Sequence, residues 1–130
     1  GDTLWGAGRN NYGELGVGDQ VSRRPPLVVQ TGVTEVRYIA GHTLIIKNDQ
    51  TLRGTGFNDM YNLGLGHQNI VTSFEYIMSS VSKACVGFFH SMIIKTDGSL
   101  WGTGYNTSGQ LGFGDASSVF EATPVLSWPR

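Results

Sequence analysis

The stretch LWGTGYNTSGQLGFGD, residues 100–115, has two earlier counterparts in the same chain: LWGAGRNNYGELGVGD at 4–19 and LRGTGFNDMYNLGLGH at 52–67. Leu4, Leu52 and Leu100 stand 48 residues apart, and seven of the 16 positions agree in all three copies. These are the leucine, the glycines of Gly6/Gly54/Gly102 and Gly8/Gly56/Gly104, the asparagines Asn10/Asn58/Asn106, and a Leu-Gly-x-Gly that follows. A second segment repeats at the same interval, HTLIIK at 42–47 and HSMIIK at 90–95. Two independent segments with one period mark a repeat architecture of stacked or radial units.

Each period reads as four short strands. Val33–Ala40 and Val81–Val86 are apolar or alternating, as half-buried strands are. Thr43–Lys47 and Ser91–Lys95 are β-branched runs ended by turns at Asn48-Asp49 and Thr96-Asp97-Gly98. Leu-Trp-Gly-x-Gly forms a third strand, its small residues admitting close neighbours. The fourth is expected at Leu27–Gln30, Phe74–Met78 and Val125–Trp128. No apolar residue recurs at helical spacing over a helix-length window, so no long helix is expected. Four up-down strands per unit is a β-propeller blade. The chain opens on a third strand, giving two, four and four strands: one repeat region over 1–130, about two and a half blades of an all-β fold. A propeller closes to protect its edges, so these residues are expected to be part of a larger ring. The open edge calls for the remaining blades or for self-association.

Composition narrows the function. Of the 130 residues, 19 are glycine, about twice the usual share, and 14 of those lie in the three copies, so the glycine is patterned rather than flexible filler. Nine basic and ten acidic residues leave a net charge of −1, which speaks against bulk electrostatic binding to nucleic acid or anionic lipid. No apolar run approaches membrane-spanning length. A single cysteine, Cys85, permits no internal disulfide or multi-cysteine zinc site, and its place in an apolar strand suggests a buried, inert thiol.

The segment DGSLWGTGYNTSGQLGFGD at 97–115, preceded by HSMIIK, resembles the repeat of the RCC1 (regulator of chromosome condensation) family, most specifically in its N-x-x-G-Q-L-G-x-G portion. The resemblance implies an RCC1-like propeller, seven-bladed when complete. The middle copy departs from the pattern at Arg53, Tyr61, Asn62 and His67, and Ile39 stands where Gly87 keeps the glycine of G-x-x-H. The resemblance also raises guanine-nucleotide exchange on a small GTPase, although loops between the repeats are short and no inserted wedge is visible. A secreted inhibitor or adhesin is a third class that RCC1-like propellers suggest.

No residue set argues for catalysis, a cofactor or a metal. His42 and His90 sit in register with the repeat and read as structural groups bonded to nearby backbone. Asp19 and Asp115 read as acceptors of turn amides. GTGFN and GTGYN lack the following helix that makes a glycine loop bind phosphate. The expectation is a non-catalytic protein-interaction module. In an up-down blade the loops after strands one and three emerge at one end, and there the copies diverge while their glycines do not. The candidate partner-binding residues are Arg9, Tyr12, Met60, Tyr61, Phe88, Phe89 and Tyr105, types favoured at interface centres. Packing between blades is the competing reading for Phe57 and Tyr105, which share one repeat position.

Overall fold

A computed structural model describes residues 2–104 and 119–124. The described residues form nine antiparallel strands in two sheets. The first holds β1 (Asp2–Gly8), β2 (Arg23–Ile39), β3 (His42–Lys47), β4 (Leu52–Gly56) and β5 (Val71–Met78) in that order. The second holds β6 (Val81–Val86), β7 (His90–Lys95), β8 (Leu100–Gly104) and β9 (Val119–Pro124). Among the described residues there is no helix.

Two strand expectations change. Leu27–Gln30 and Val33–Ala40 are one 17-residue strand, β2, so nine strands replace the expected ten. Its first half pairs with β1 and its second with β3, and Val33 faces both Asp2 and Lys47. Gly32 takes φ +67°, a left-handed bend that glycine makes without steric cost, and the strand turns from one partner to the other there. Forty-eight residues on, Ser80 holds nearly the same φ of +57°, but β5 and β6 are separate strands. Pro25 and Pro26 fall in the half of β2 that pairs only with β1, opposite the irregularity between Gly6 and Gly8, where neither is a registered ladder partner. The five-stranded sheet is therefore a half blade and a full blade sharing a strand. The third fourth-strand is β9, ending at Pro124; Val125–Trp128, where it was expected, lies outside the described residues.

The two sheets meet where β2 and β3 lie against β6. The core between them contains Leu44, Ile46, Leu52, Leu63, Val71, Val81, Ala84 and Ile93, none more than 4% exposed. Alternation accounts for the face: Leu44 pairs with Gly54 and Ile46 with Leu52, so all four point to one side. Leu63 comes from the long loop after β4, which reaches across to the next blade. Cys85 differs from expectation. In β6 the residues turned to the core are Val81 and Ala84, and Cys85 is exposed.

The repeat glycines of the third strand do not share one environment. Gly54 is buried at the middle of β4, paired with Leu44 on one side and Glu75 on the other. Gly102 is buried in the same way in β8, between Met92 of β7 and Thr123 of β9. Gly6, their counterpart in β1, is only half-buried and pairs with Leu27 alone. At the strand ends, Gly56 and Gly104 are buried and Gly8 is exposed. One sequence pattern is thus covered in the two full blades and open in the half blade.

Candidate protein-interaction face

The loop after the third strand is built on its asparagine. Asn10 is buried; its Nδ2 donates to the carbonyls of Asp19 and Val21, and its Oδ1 accepts from Leu15 N at 2.9 Å. Asn58 repeats this with the carbonyls of His67 and Asn69 and with Leu63 N at 3.1 Å. One side chain thus closes a loop of about a dozen residues at both ends. Asp19 Oδ1 accepts from Val21 N at 3.0 Å, as expected of a turn acceptor, and an ion pair with Arg23 at 2.8 Å holds its carboxyl below the usual range. In the middle copy His67 stands in for the aspartate, its Nδ1 accepting from Asn69 N at 3.1 Å. The substitution at His67 therefore keeps the loop geometry. Asp115 and Asn106 lie outside the described residues.

The closed loop is then fastened to the next blade by hydroxyls. Thr43 Oγ1 donates to Glu14 O at 2.8 Å, and Ser91 Oγ, its repeat counterpart, donates to Asn62 O at 2.6 Å. Thr55 Oγ1 lies 2.7 Å from Gly13 O, and Thr103 Oγ1 lies 2.9 Å from Tyr61 O. Sequence reasoning passed over these four residues. The signal was a hydroxyl at the same repeat position in both full blades, hidden because Thr and Ser are ordinary strand residues and because the first copy has Ala7 where Thr55 and Thr103 stand.

With the loops fixed, four aromatic rings form a row at one end of the blades. Tyr12 meets Phe57 edge-on with centroids 5.4 Å apart, Phe57 meets Phe89 at 5.9 Å, and Phe89 meets Phe88 at 6.4 Å. Such spacings are those of favourable edge and tilted pairs. The row crosses from the loop of the half blade, over the first full blade, to the loop between β6 and β7. It depends on Gly41, where a Cβ would stand 2.5 Å from the Tyr12 ring. Phe88 is 63% exposed, Tyr12 40% and Phe89 38%, so the row presents an apolar surface while its rings support one another. Phe57, half-buried, is the ring through which the others are joined.

Not every candidate joins the row. Met60 is exposed in the same loop as Phe57, and Tyr61 is half-buried with φ +57°. Arg9 is exposed but borders a separate cleft beside β1. Tyr105 lies outside the described residues.

The histidines occupy neighbouring positions on β3 and β7. His42 is fully buried, and neither ring nitrogen has a hydrogen-bond partner, contrary to the expected backbone bond. Burial, with a smaller contribution from the neighbouring His90, pushes its pKa down to about 4. His90 is half-buried and is also lowered by burial. Among the described residues no cluster of three or more His, Cys, Asp or Glu could hold a metal.

Two antiparallel sheets with strands in sequential order, joined from edge strand β5 to edge strand β6 and packed against each other, are successive blades of a β-propeller. Residues 81–110 match the family model for the regulator of chromosome condensation (RCC1) repeat, and the blades resemble a part of an RCC1-type propeller. The fold is similar to that of human WBSCR16, with a TM-score of 0.81 and 18% identity over 94% of this chain and 33% of that one. It is similar to Prp20p from Saccharomyces cerevisiae, a structure described together with binding to Gsp1p and histones, with a TM-score of 0.78 and 18% identity over 93% and 33% of the two chains. Yeast RCC1 (Prp20) bound to Kap60 gives a TM-score of 0.75 and 18% identity over 93% of this chain and 32% of that chain. The chain thus spans about a third of the length of the solved structures it resembles. No curated protein sequence matches it.

Proposed function

We propose that this chain is a non-catalytic protein-binding module whose recognition surface is the row Tyr12–Phe57–Phe89–Phe88. The observation that carries this reading is the row itself. Four rings from three different loops are held in mutual contact at one blade end, three of them substantially exposed. An isolated exposed aromatic is ordinary on a protein surface, whereas a contiguous supported group is the composition of an interface centre. Met60 and Tyr61 share the Phe57 loop but stand outside the row. The Prp20p structure supports the reading as a fold-level analogy, since that protein is described as binding Gsp1p and histones. Guanine-nucleotide exchange is the narrower version, and it predicts accelerated nucleotide release from a small GTPase.

The test is capture of partners from lysate by the wild-type chain and by a Phe88→Ser/Phe89→Ser/Tyr12→Ser variant, each followed by thermal unfolding. Loss of a specific captured protein with the unfolding midpoint little changed supports the face. Equal capture by both proteins sinks it.

A further inference from the structure

His42 stands at the base of the aromatic row, held there by a turn under strain. It opens β3 opposite Ile39, so Ala40 and Gly41 alone connect it to β2. Both have positive φ, +52° and +93°, the hairpin turn that suits asparagine and glycine; at Ala40 the Cβ makes it costly. The ring gains nothing in exchange, since neither nitrogen has a hydrogen-bond partner among the described residues.

The row is fastened to this same turn. Gly41 O accepts from Phe57 N at 2.9 Å, and the Tyr12 ring lies against Gly41 where a Cβ would stand. Tyr12 N donates in turn to Oε1 of the buried Glu14 at 2.8 Å. Gly56 joins the pieces: a Cβ there would be 3.0 Å from His42 Cα and 3.2 Å from Glu14 Cα. Any movement of His42 therefore shifts the acceptor of Phe57 and the floor under Tyr12 together.

The charged neighbours do not favour an imidazolium in this place. Burial and then His90, at the start of β7, disfavour its charge. Glu14 reaches the junction from the loop after β1, but neither of its carboxyl oxygens bonds the ring. On the strands packed against β3, Arg37 and Tyr38 of β2 and Lys83 and Cys85 of β6 are exposed, and Arg53 of β4 pairs with Ile45, three residues along from His42. A protonated ring is solvated only by leaving.

We infer that the Ala40–His42 turn is an acid-operated latch: protonation holds the His42 ring out in water, and the opened turn parts Tyr12 and Phe57 from Phe89 while the sheets stay paired. The opening is local, because from Thr43 onward β3 remains laddered to β2 on one side and β4 on the other. Once outside, the ring takes its proton in the ordinary histidine range, near 6.5, so the open form gains about twentyfold in population between neutral pH and about pH 5. The latch is a property of the fold and holds whether or not the row is a recognition surface.

The test is native-state amide exchange by NMR on the 130-residue chain, at neutral pH and about pH 5, with intrinsic rates divided out and low urea added in steps. The Phe57 amide should lose about twentyfold in protection in acid and stay insensitive to low urea, the mark of a local opening. The Gln50 amide, in the turn at the other end of β3, should show no such acid response. His42→Leu should abolish the acid response at Phe57. Ala40→Gly, which relieves the turn without touching the ring, should slow Phe57 exchange at both pH values. Phe57 exchange that rises with urea in step with the core, an acid response that persists in His42→Leu, or no slowing in Ala40→Gly overturns the latch.

Discussion

Mild acid should destabilise this protein through His42. In the folded chain the ring is fully buried and its pKa is pushed from 6.5 down to about 4, so it remains neutral where the same histidine in the unfolded chain is protonated. The unfolded state therefore binds the additional proton between those two values. The stability that His42 contributes is fully present above 6.5 and is lost as the pH falls toward 4. At about 1.36 kcal/mol per pH unit the full interval amounts to roughly 3 kcal/mol, of which about 2 kcal/mol is gone by about pH 5. That is a large share of the 5–15 kcal/mol typical of a folded domain. Urea unfolding of the parent and a His42→Leu variant, each at neutral pH and at about pH 5, isolates the effect, because only the difference in pH slope matters. The parent should lose about 2 kcal/mol more than the variant. His90, also lowered by burial, leaves a shallower slope of the same sign in the variant. Asp19 and Asp49, both held below 3.8, act only at still lower pH and do not enter the window. Parallel loss in the two proteins would refute the argument and mean that His42 is hydrated or hydrogen-bonded in solution.

Other outcomes follow from single contacts. Thr55→Val removes the buried hydroxyl that faces the Gly13 and Val71 carbonyls and should cost about 0.5–1.5 kcal/mol in chemical denaturation, the worth of one hydrogen bond, since the Gly13 carbonyl still accepts from Gly16 N. Gly16→Ala forces a Cβ into the Phe74 ring at φ +71° and should cost about 2–4 kcal/mol, combining the left-handed penalty with overpacking. Ser80→Gly, at an exposed position with φ +57°, should raise the unfolding midpoint, by about 0.5–1 kcal/mol in free energy. Phe88→Ser alone, at a side chain 63% exposed, should alter stability by less than about 0.5 kcal/mol.

The blades were legible because the features that define them are local and recur. Glycine pairs, the loop asparagine and the β-branched runs appear at one interval in the sequence, and each is read without knowledge of its neighbours. What the interval hides is coverage: Gly6 and Gly102 are the same letter at the same position, yet only Gly102 has a partner strand on each side. The continuity of β2 was not legible, since Thr31-Gly32 looks like a break and serves as a bend whose ladder is maintained through Val33. Cys85 was misjudged because an apolar run does not reveal which members face the core. The site divided in the same way. Tyr12, Phe88 and Phe89 were recognisable as divergent positions beside fixed ones. That they touch through Phe57, while Arg9 turns to the cleft, depends on blade-to-blade geometry that no single repeat contains. Repeat position alone also left open whether Phe57 packs or binds; half-buried between two exposed rings, it supports both.

The hydroxyl fastenings at Thr43/Ser91 and Thr55/Thr103 recur at both described junctions, but the first junction also shares the continuous strand β2 and the second is closed by a packed core. A polymer with unequal joints yields in a set order. Pulled by its ends in an optical trap, such a chain should release its two sheets in separate ruptures of unequal length, the longer one from the sheet that runs through β2.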